Sequence, residues 1–283
     1  MKKLFICGLI LFIVCFLLGC LTWFGFEQQN NKLNSVNKSF DSNKIDSVHL
    51  DSQNSTVNIK RGNTFSVKYS GKKKLSISES KGLLNIQENS NSEDHYGLNF
   101  NLFRRVSDQM TVTVPDKQLK KLNLSCETNT TTISDINIKS ARILFNDTGG
   151  ARLKVNNSNI ENMYYRGTNS PVHIDNSELS NANLKSKNES ILINNSLIES
   201  SVLLADKGNI DLNKMDVKSD FKASTQHGDI QMRYNNEPKN TLLKLNPENG
   251  KPHVNNSVFK DDKVGNGEHV LELYTNHGDI HIN

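Results

Sequence analysis

Beyond residue 26 this chain has a single cysteine, few aromatic residues, no stretch of sustained helical periodicity and no clustered basic stripe. Each absence excludes something. Cys7, Cys15 and Cys20 sit in an apolar N-terminal run, so Cys126 has no partner for an intramolecular disulfide or a thiolate metal cluster. Alternation in Leu122-Asn123-Leu124-Ser125-Cys126 places Leu122, Leu124 and Cys126 on one face, which gives the thiol a small apolar role in a core. Without helical periodicity, and with abundant Asn and Ser, the chain reads as short strands joined by many turns, an all-β fold. The formal charge of +4 includes Lys2 and Lys3, leaving about +2 for the rest, which excludes the basic footprint of a nucleic-acid binder. The short runs Lys72-Lys73-Lys74, Arg104-Arg105 and Lys120-Lys121 read as solvated faces or loops. Gly-x-Ser-x-Gly, His-Glu-x-x-His and phosphate-binding glycine loops are also missing, so no catalytic residue and no cofactor is expected.

A long hydrophobic run occurs once, from Leu4 to Phe26, and suffices to cross a hydrocarbon core of about 30 Å. Lys2 and Lys3 hold its N-terminus in the cytoplasm by the positive-inside tendency, which directs everything after Glu27 outward. The expectation is a single-pass protein of a bacterial plasma membrane with an extracytoplasmic C-terminal domain. Leu17-Leu18-Gly19-Cys20 resembles a bacterial lipobox and makes Cys20 a candidate lipidation site. Leu21 to Phe26 stays apolar beyond it, so a retained signal anchor is favoured over a lipoprotein. Residues 27–44 are polar and read as a flexible linker, leaving 45–283 for the folded domain.

What the chain has in quantity is a repeated phrase: a turn, an alternating apolar pair, then Asn, Ser or Asp and another apolar residue. Its second apolar position steps through Val155, Ile174, Ile193, Leu212 and Met232 every 19 to 20 residues, and Ile282 restores it at the C-terminus. That period predicts stacked β-coils, a solenoid whose repeats cover one another's apolar faces. The stack is expected to start near residue 120, after an antiparallel meander running from Ile45. Asn89 to Arg105 reads as a loop or an aromatic edge strand, and the segment holding Pro238, Pro247 and Pro252 as a cap. Gly149, Gly208, Gly228 and Gly278 occupy the turns, where glycine supplies positive φ. Asn156, Asn157, Asn176, Asn194 and Asn195 suggest amide ladders along the stack.

His227 with Asp229 and His277 with Asp279 offer imidazole and carboxylate to a metal. In Gly-centred turns such side chains face solvent or bond the turn backbone, so no metal is expected. Asp175 and Asp211 hold similar places two coils apart and form the candidate pair for a glycan-active β-helix enzyme. The coil between them supplies Asn194-Asn195, amides rather than charge, and a non-catalytic protein is the preferred reading.

Ile45 to Tyr69 with Ile59-Lys60-Arg61-Gly62, the strand end Val112-Thr113-Val114-Pro115 followed by Leu119-Lys120-Lys121-Leu122, and the turns Gly208-Asn209-Ile210, Gly228-Asp229-Ile230 and Gly278-Asp279-Ile280 carry a resemblance. They resemble the DUF4097 or "toast-rack" adhesin-type domain of bacterial envelope proteins, over about residues 40 to 283. The chain departs from that pattern at Thr168-Asn169-Ser170-Pro171 and Lys187-Asn188-Glu189-Ser190, where the turn glycine is missing. The resemblance implies an all-β, solenoid-like extracytoplasmic domain, common in Gram-positive bacteria, with no catalytic residues to carry over. It implies a link to surface adhesion, and because stacked coils offer a long regular face, the preferred reading is a surface binding platform whose partner is an envelope or surface protein or a glycan. The alternative is an envelope-stress component that meets a membrane sensor or an antimicrobial peptide.

Overall fold

A computed structural model describes residues 2–22, 33–89, 108–127, 129–146 and 150–283. Beyond Lys2 and Lys3 the helix Lys2–Thr22 is apolar on every side, with a mean hydropathy of 3.1 over its most apolar 18 residues, and none of it is buried against protein. A helix without a polar face needs an apolar surrounding. At 1.5 Å per residue it is about 32 Å long, compatible with a single-pass anchor or a signal sequence. Residues 23–32, the end of the apolar run and the first part of the expected linker, lie outside the described residues.

The described strands beyond the helix form one sheet of 12 and one of 13. Strands alternate inward apolar and outward polar residues, and the inward residues of both sheets make one continuous core. Successive coils pair in parallel: Arg152–Asn156, Val172–Asp175, Ile191–Asn194 and Ile210–Met215 follow one another in the first sheet. Asn137–Phe145, Asn159–Thr168, Glu178–Lys187 and Ser201–Lys207 do so in the second. In the first sheet Val155 lies opposite Ile174, then come Ile193, Leu212, Met232 and Ile282, all essentially fully buried. The same column extends to Ile133, Ile59 and Val112 at one end and to Val254 at the other. The second sheet has a matching column, Leu124, Ile143, Tyr165, Leu184, Leu203, Ala223 and Leu273. Each buried Ile or Leu contributes about 1.5–3 kcal/mol, and only the neighbouring coils provide its cover.

The N-terminal region departs from the expected meander. Antiparallel pairing is present, in Asn34–Phe40 with Phe65–Gly71, Phe65–Gly71 with Gln109–Val114, and Lys74–Ser80 with Leu83–Asn89. Ser47–Ser52 and Thr56–Arg61, however, already form a parallel coil and stack on Gln118–Cys126 and Thr130–Ser134. The solenoid therefore begins at Ser47 rather than near residue 120. Asn34–Phe40 is a strand within the segment read as linker; its polar side chains suit an edge strand with only one covered face. Of the segment read as a loop or aromatic edge strand, residues 90–105 fall outside the described residues.

At both ends, spatial order differs from chain order. The outer N-terminal coil is Leu83–Asn89 with Gln109–Val114, outside the earlier Ser47–Arg61 coil. At the other end the proline-bearing segment supplies the outermost coil, Thr241–Pro247 with Pro252–Val254. The final coil, His269–His277 with Ile280–Ile282, slots between it and Phe221–Tyr234. The short antiparallel strand Lys263–Val264 then covers the second sheet's edge.

The corners are built from two chemistries. Asn157, Asn176 and Asn195 adopt φ of 47°, 49° and 43°, a conformation asparagine tolerates better than most residues, so one corner needs no glycine. Behind them Ser158, Ser177 and Ser196 form a buried ladder, in which Ser177 Oγ accepts from Ser158 N–H at 3.1 Å and Ser196 Oγ from Ser177 N–H at 3.0 Å. The opposite corner carries Gly208, Gly228 and Gly278, with φ of 138°, 153° and 153°. A methyl group at Gly228 would lie 2.4 Å from the Gly208 carbonyl oxygen, backbone against backbone. Gly228→Ala is therefore expected to destabilise the domain by about 2 kcal/mol, read as a lowered thermal midpoint, because the coils must separate to admit it. Gly149 lies outside the described residues.

Candidate functional site

Outward-facing residues form rows that cross the coils, one residue per strand, about 4.8 Å apart. On the first sheet the row of Asp175, Asn194 and Asn213 is bonded along the stack. Asn194 Nδ2 donates to Asp175 Oδ1 at 2.8 Å, Asn213 Nδ2 to Asn194 Oδ1 at 3.1 Å, and Arg233 Nη1 to Asn213 Oδ1 at 2.6 Å. A second amide row runs beside it, with Asn195 Nδ2 donating to Asn176 Oδ1 at 2.5 Å and Asn157 Nδ2 to Asp135 Oδ1 at 3.2 Å. These bonds run from coil to coil along the stack.

Asp175 and Asp211 do not occupy equivalent places. Asp175 is in register with Asn194 and then Asn213, whereas Asp211 is in register with Leu192 and His173. Partial burial raises the Asp211 carboxyl above its ordinary value, and Arg233 offsets part of that. The two carboxylates thus belong to different rows, and the candidate catalytic pair is not assembled.

His227 and His277 are brought together, their rings stacked 5.0 Å apart, but their neighbouring aspartates bond backbone. Asp229 Oδ1 accepts from Asp279 N–H at 2.8 Å, and Asn209 Oδ1 from Asp229 N–H at 3.0 Å. Cys126 is fully buried, and burial pushes its thiol up to about 12, outside the range of a reactive nucleophile. Cys20 lies near the end of the N-terminal helix. Lys120 of the Lys120-Lys121 pair is held by Asp46 at 2.6 Å, and Arg104-Arg105 lies outside the described residues.

Residues 45–283 match the family model described as Toastrack DUF4097. The chain belongs to the toastrack DUF4097 family. No curated protein sequence matches it. Among solved structures it is similar to a candidate lipid-binding protein from Parabacteroides distasonis, with 12% identity, a TM-score of 0.55, and coverage of 90% of this chain and 98% of that one. Two further structures are a candidate cell adhesion protein from Clostridium sporogenes (12% identity, TM-score 0.34, 89% of this chain and 99% of that one) and a candidate adhesin from Bacteroides fragilis (13%, 0.42, 89% and 98%). The first supports the fold; the other two are too distant in shape to carry an argument.

The outer face of the second sheet of this toastrack domain is differently equipped. A groove of about 460 Å³ is lined by Arg166, Lys185 and Lys187 with Asp206, Ser224 and Gln226. Arg166 and Lys185 are register partners on adjacent strands, both exposed. One row away the Arg142 guanidinium lies over the Tyr164 ring, 4.9 Å from its centroid. Tyr165, on the strand's inner side, is fully buried and donates to Ser170 O at 2.9 Å; a side chain at Gly167 would strike its hydroxyl. Gly167 thus lets the large tyrosine fill the core beneath the groove. Sequence reasoning misses this groove because Arg166 and Lys185 lie 19 residues apart and form no basic run. The repeat period reveals it only when the outward positions are aligned as the inward ones are.

Proposed function

We propose that this protein is a membrane-anchored cell-surface protein whose toastrack domain lies outside the cytoplasm and serves as a non-catalytic binding platform. Its ligand is an envelope polymer carrying repeated anionic groups, held along the outer face of the second sheet. The observation that carries this reading is an unmatched cation pair. Like charges directly opposite on neighbouring strands destabilise a sheet. By contrast, Lys222 and Glu272, also register partners on this face, form an ion pair at 2.7 Å. None of the ion pairs among the described residues involves Arg166, Lys185 or Lys187. An anionic group above the groove offsets the repulsion, and successive cation-bearing strands suit a chain with regularly spaced charges. The amide rows of the first sheet, bonded internally, serve the stack instead.

The test is binding of a water-soluble glycerol-phosphate polymer to the full chain in neutral detergent micelles. Wild type is expected to bind and to weaken as salt screens the contact. The double variant Arg166→Glu/Lys185→Glu is expected to lose at least about tenfold in affinity, equivalent to about 1.4 kcal/mol. Lys60→Glu, exposed on the first sheet, serves as the control. Equal affinity of wild type and the groove variant contradicts the reading.

A further inference from the structure

The end coil carries a second constellation, independent of the cation groove. Pro252–Val254 is the edge strand of the first sheet and Ile280–Ile282 its neighbour, with His253 directly opposite His281. Their rings are nearly parallel, 10° apart, with centroids 4.8 Å from each other. Asp279 reaches the same spot, its Oδ2 3.5 Å from His253 Nε2. One potential ligand atom from each of the three residues lies within 4.8 Å of the others, and all three side chains are partly buried. The carboxylate is oriented from behind: Lys251 N–H donates to Asp279 Oδ1 at 2.8 Å, leaving Oδ2 turned toward the imidazoles. The Asp279 carboxyl is held below its ordinary value, chiefly by that backbone bond, with smaller contributions from His253 and His281.

We propose that His253, Asp279 and His281 form a binding site for a borderline divalent transition-metal ion, with zinc as the reference case, that ties the outermost coil to the C-terminal strand. Two imidazole nitrogens and one carboxylate oxygen are a donor set that such ions favour over magnesium or calcium, which take mainly oxygen. Ligands at 2.0–2.2 Å around a tetrahedral ion are about 3.3 Å apart, so the 3.5 Å His253–Asp279 approach is near the required spacing, and the two imidazoles turn out of their parallel stack to converge on the ion. The Lys251 amide supplies the outer support that a metal-bound carboxylate usually has. Three protein ligands leave a fourth position for water. The location also gives the ion a mechanical role, because His253 belongs to the end coil whereas Asp279 and His281 belong to the coil inserted beneath it. An ion shared between them closes the open end of the stack.

The two adjacent histidines of the other sheet, His227 and His277, have no carboxylate in this arrangement and serve as an internal control. The test uses the full chain in detergent micelles, freed of metal by chelation and titrated with zinc chloride, with cobalt(II) absorption as a report of ligand geometry. The expected result is one zinc per chain, a cobalt spectrum of tetrahedral type, and a thermal midpoint raised by zinc. His253→Ala and Asp279→Asn are each expected to weaken binding at least about tenfold, within the range seen when ligands or their supports are altered. His277→Ala is expected to bind as wild type does. Far-UV circular dichroism of the metal-free variants shows whether the coil itself is intact. Absence of stoichiometric zinc binding by wild type overturns the proposal, as does binding that survives in folded His253→Ala and Asp279→Asn.

Discussion

Replacing Ile193 with alanine is expected to destabilise the domain by about 4 kcal/mol, near the upper range for a large-to-small change in a core. Ile193 is fully buried in the middle of its column, between Ile174 and Leu212, so the cavity opens between two coils that cannot both shift to fill it. For a domain of this size the loss corresponds to a fall of roughly 10 °C in thermal midpoint. Leu192, one residue away, faces outward and is only half-buried; Leu192→Ala is expected to cost under about 1 kcal/mol. Thermal unfolding of both variants, followed by circular dichroism, checks the contrast. Equal midpoints for the two variants contradict the assigned inward and outward faces.

Glu88→Ala is expected to have a comparable effect, about 4 kcal/mol, by a different route. Glu88 is only 3% exposed, yet its carboxylate is a hub. Oε2 accepts from Ser52 Oγ at 2.9 Å and from the N–H groups of Gln53, Asn54 and Ser55 at 2.9, 3.1 and 3.3 Å; Oε1 accepts from Ser55 Oγ at 2.9 Å. Three successive amides converging on one oxygen make a small anion nest, at the turn where the Ser47–Arg61 coil passes from one sheet to the other. The carboxylate comes from the coil outside it, so Glu88 fastens the N-terminal coils together. Tyr69 adds a longer bond at 3.4 Å, and burial together with the Glu88 and Asp108 charges pushes its hydroxyl above the ordinary tyrosine range. Alanine leaves the buried amides without acceptors. Glu88→Gln keeps the carbonyl oxygen for the amides, while its NH₂ can donate to the Ser55 and Tyr69 hydroxyls, which reverse their roles; it is expected to cost only about 1–2 kcal/mol. Midpoints ordered wild type, Gln, Ala support the nest, and an alanine variant as stable as the glutamine variant contradicts it.

What the sequence revealed and what it hid follow from the range of the interactions. Val155, Ile174, Ile193 and Leu212 recur at nearly constant spacing, because each coil needs the same inward side chain at the same height. The Asn-Asn-Ser corners recur for the same reason. The reversed coil order at the two ends leaves no such trace. Nothing periodic announces that Ile280–Ile282 inserts beside Ile230–Tyr234, or that Leu83–Asn89 lies outside Ser47–Ser52. Glu88 and the amides it serves are more than 30 residues apart, and His253 meets His281 across the segment where the period breaks. The Arg166–Lys185 pair lay within the periodic region, but outward positions vary freely from coil to coil, so their alignment carries meaning only once the strands are in register.

Both the cation groove and the histidine–aspartate site depend on coil order, and the insertion at the C-terminal end is the most exposed part of that claim. Cross-linking tests it directly in the full chain. Lys222 faces Glu272 across adjacent strands, while the Lys244 strand lies one further out. In the inserted arrangement Lys222→Cys/Glu272→Cys places two thiols within disulfide reach, whereas Lys222→Cys/Lys244→Cys leaves them about 10 Å apart. Rapid oxidation of the first pair with the second remaining reduced is the expected result; closure of the Lys222–Lys244 pair instead would show coils stacked in chain order and contradict the account.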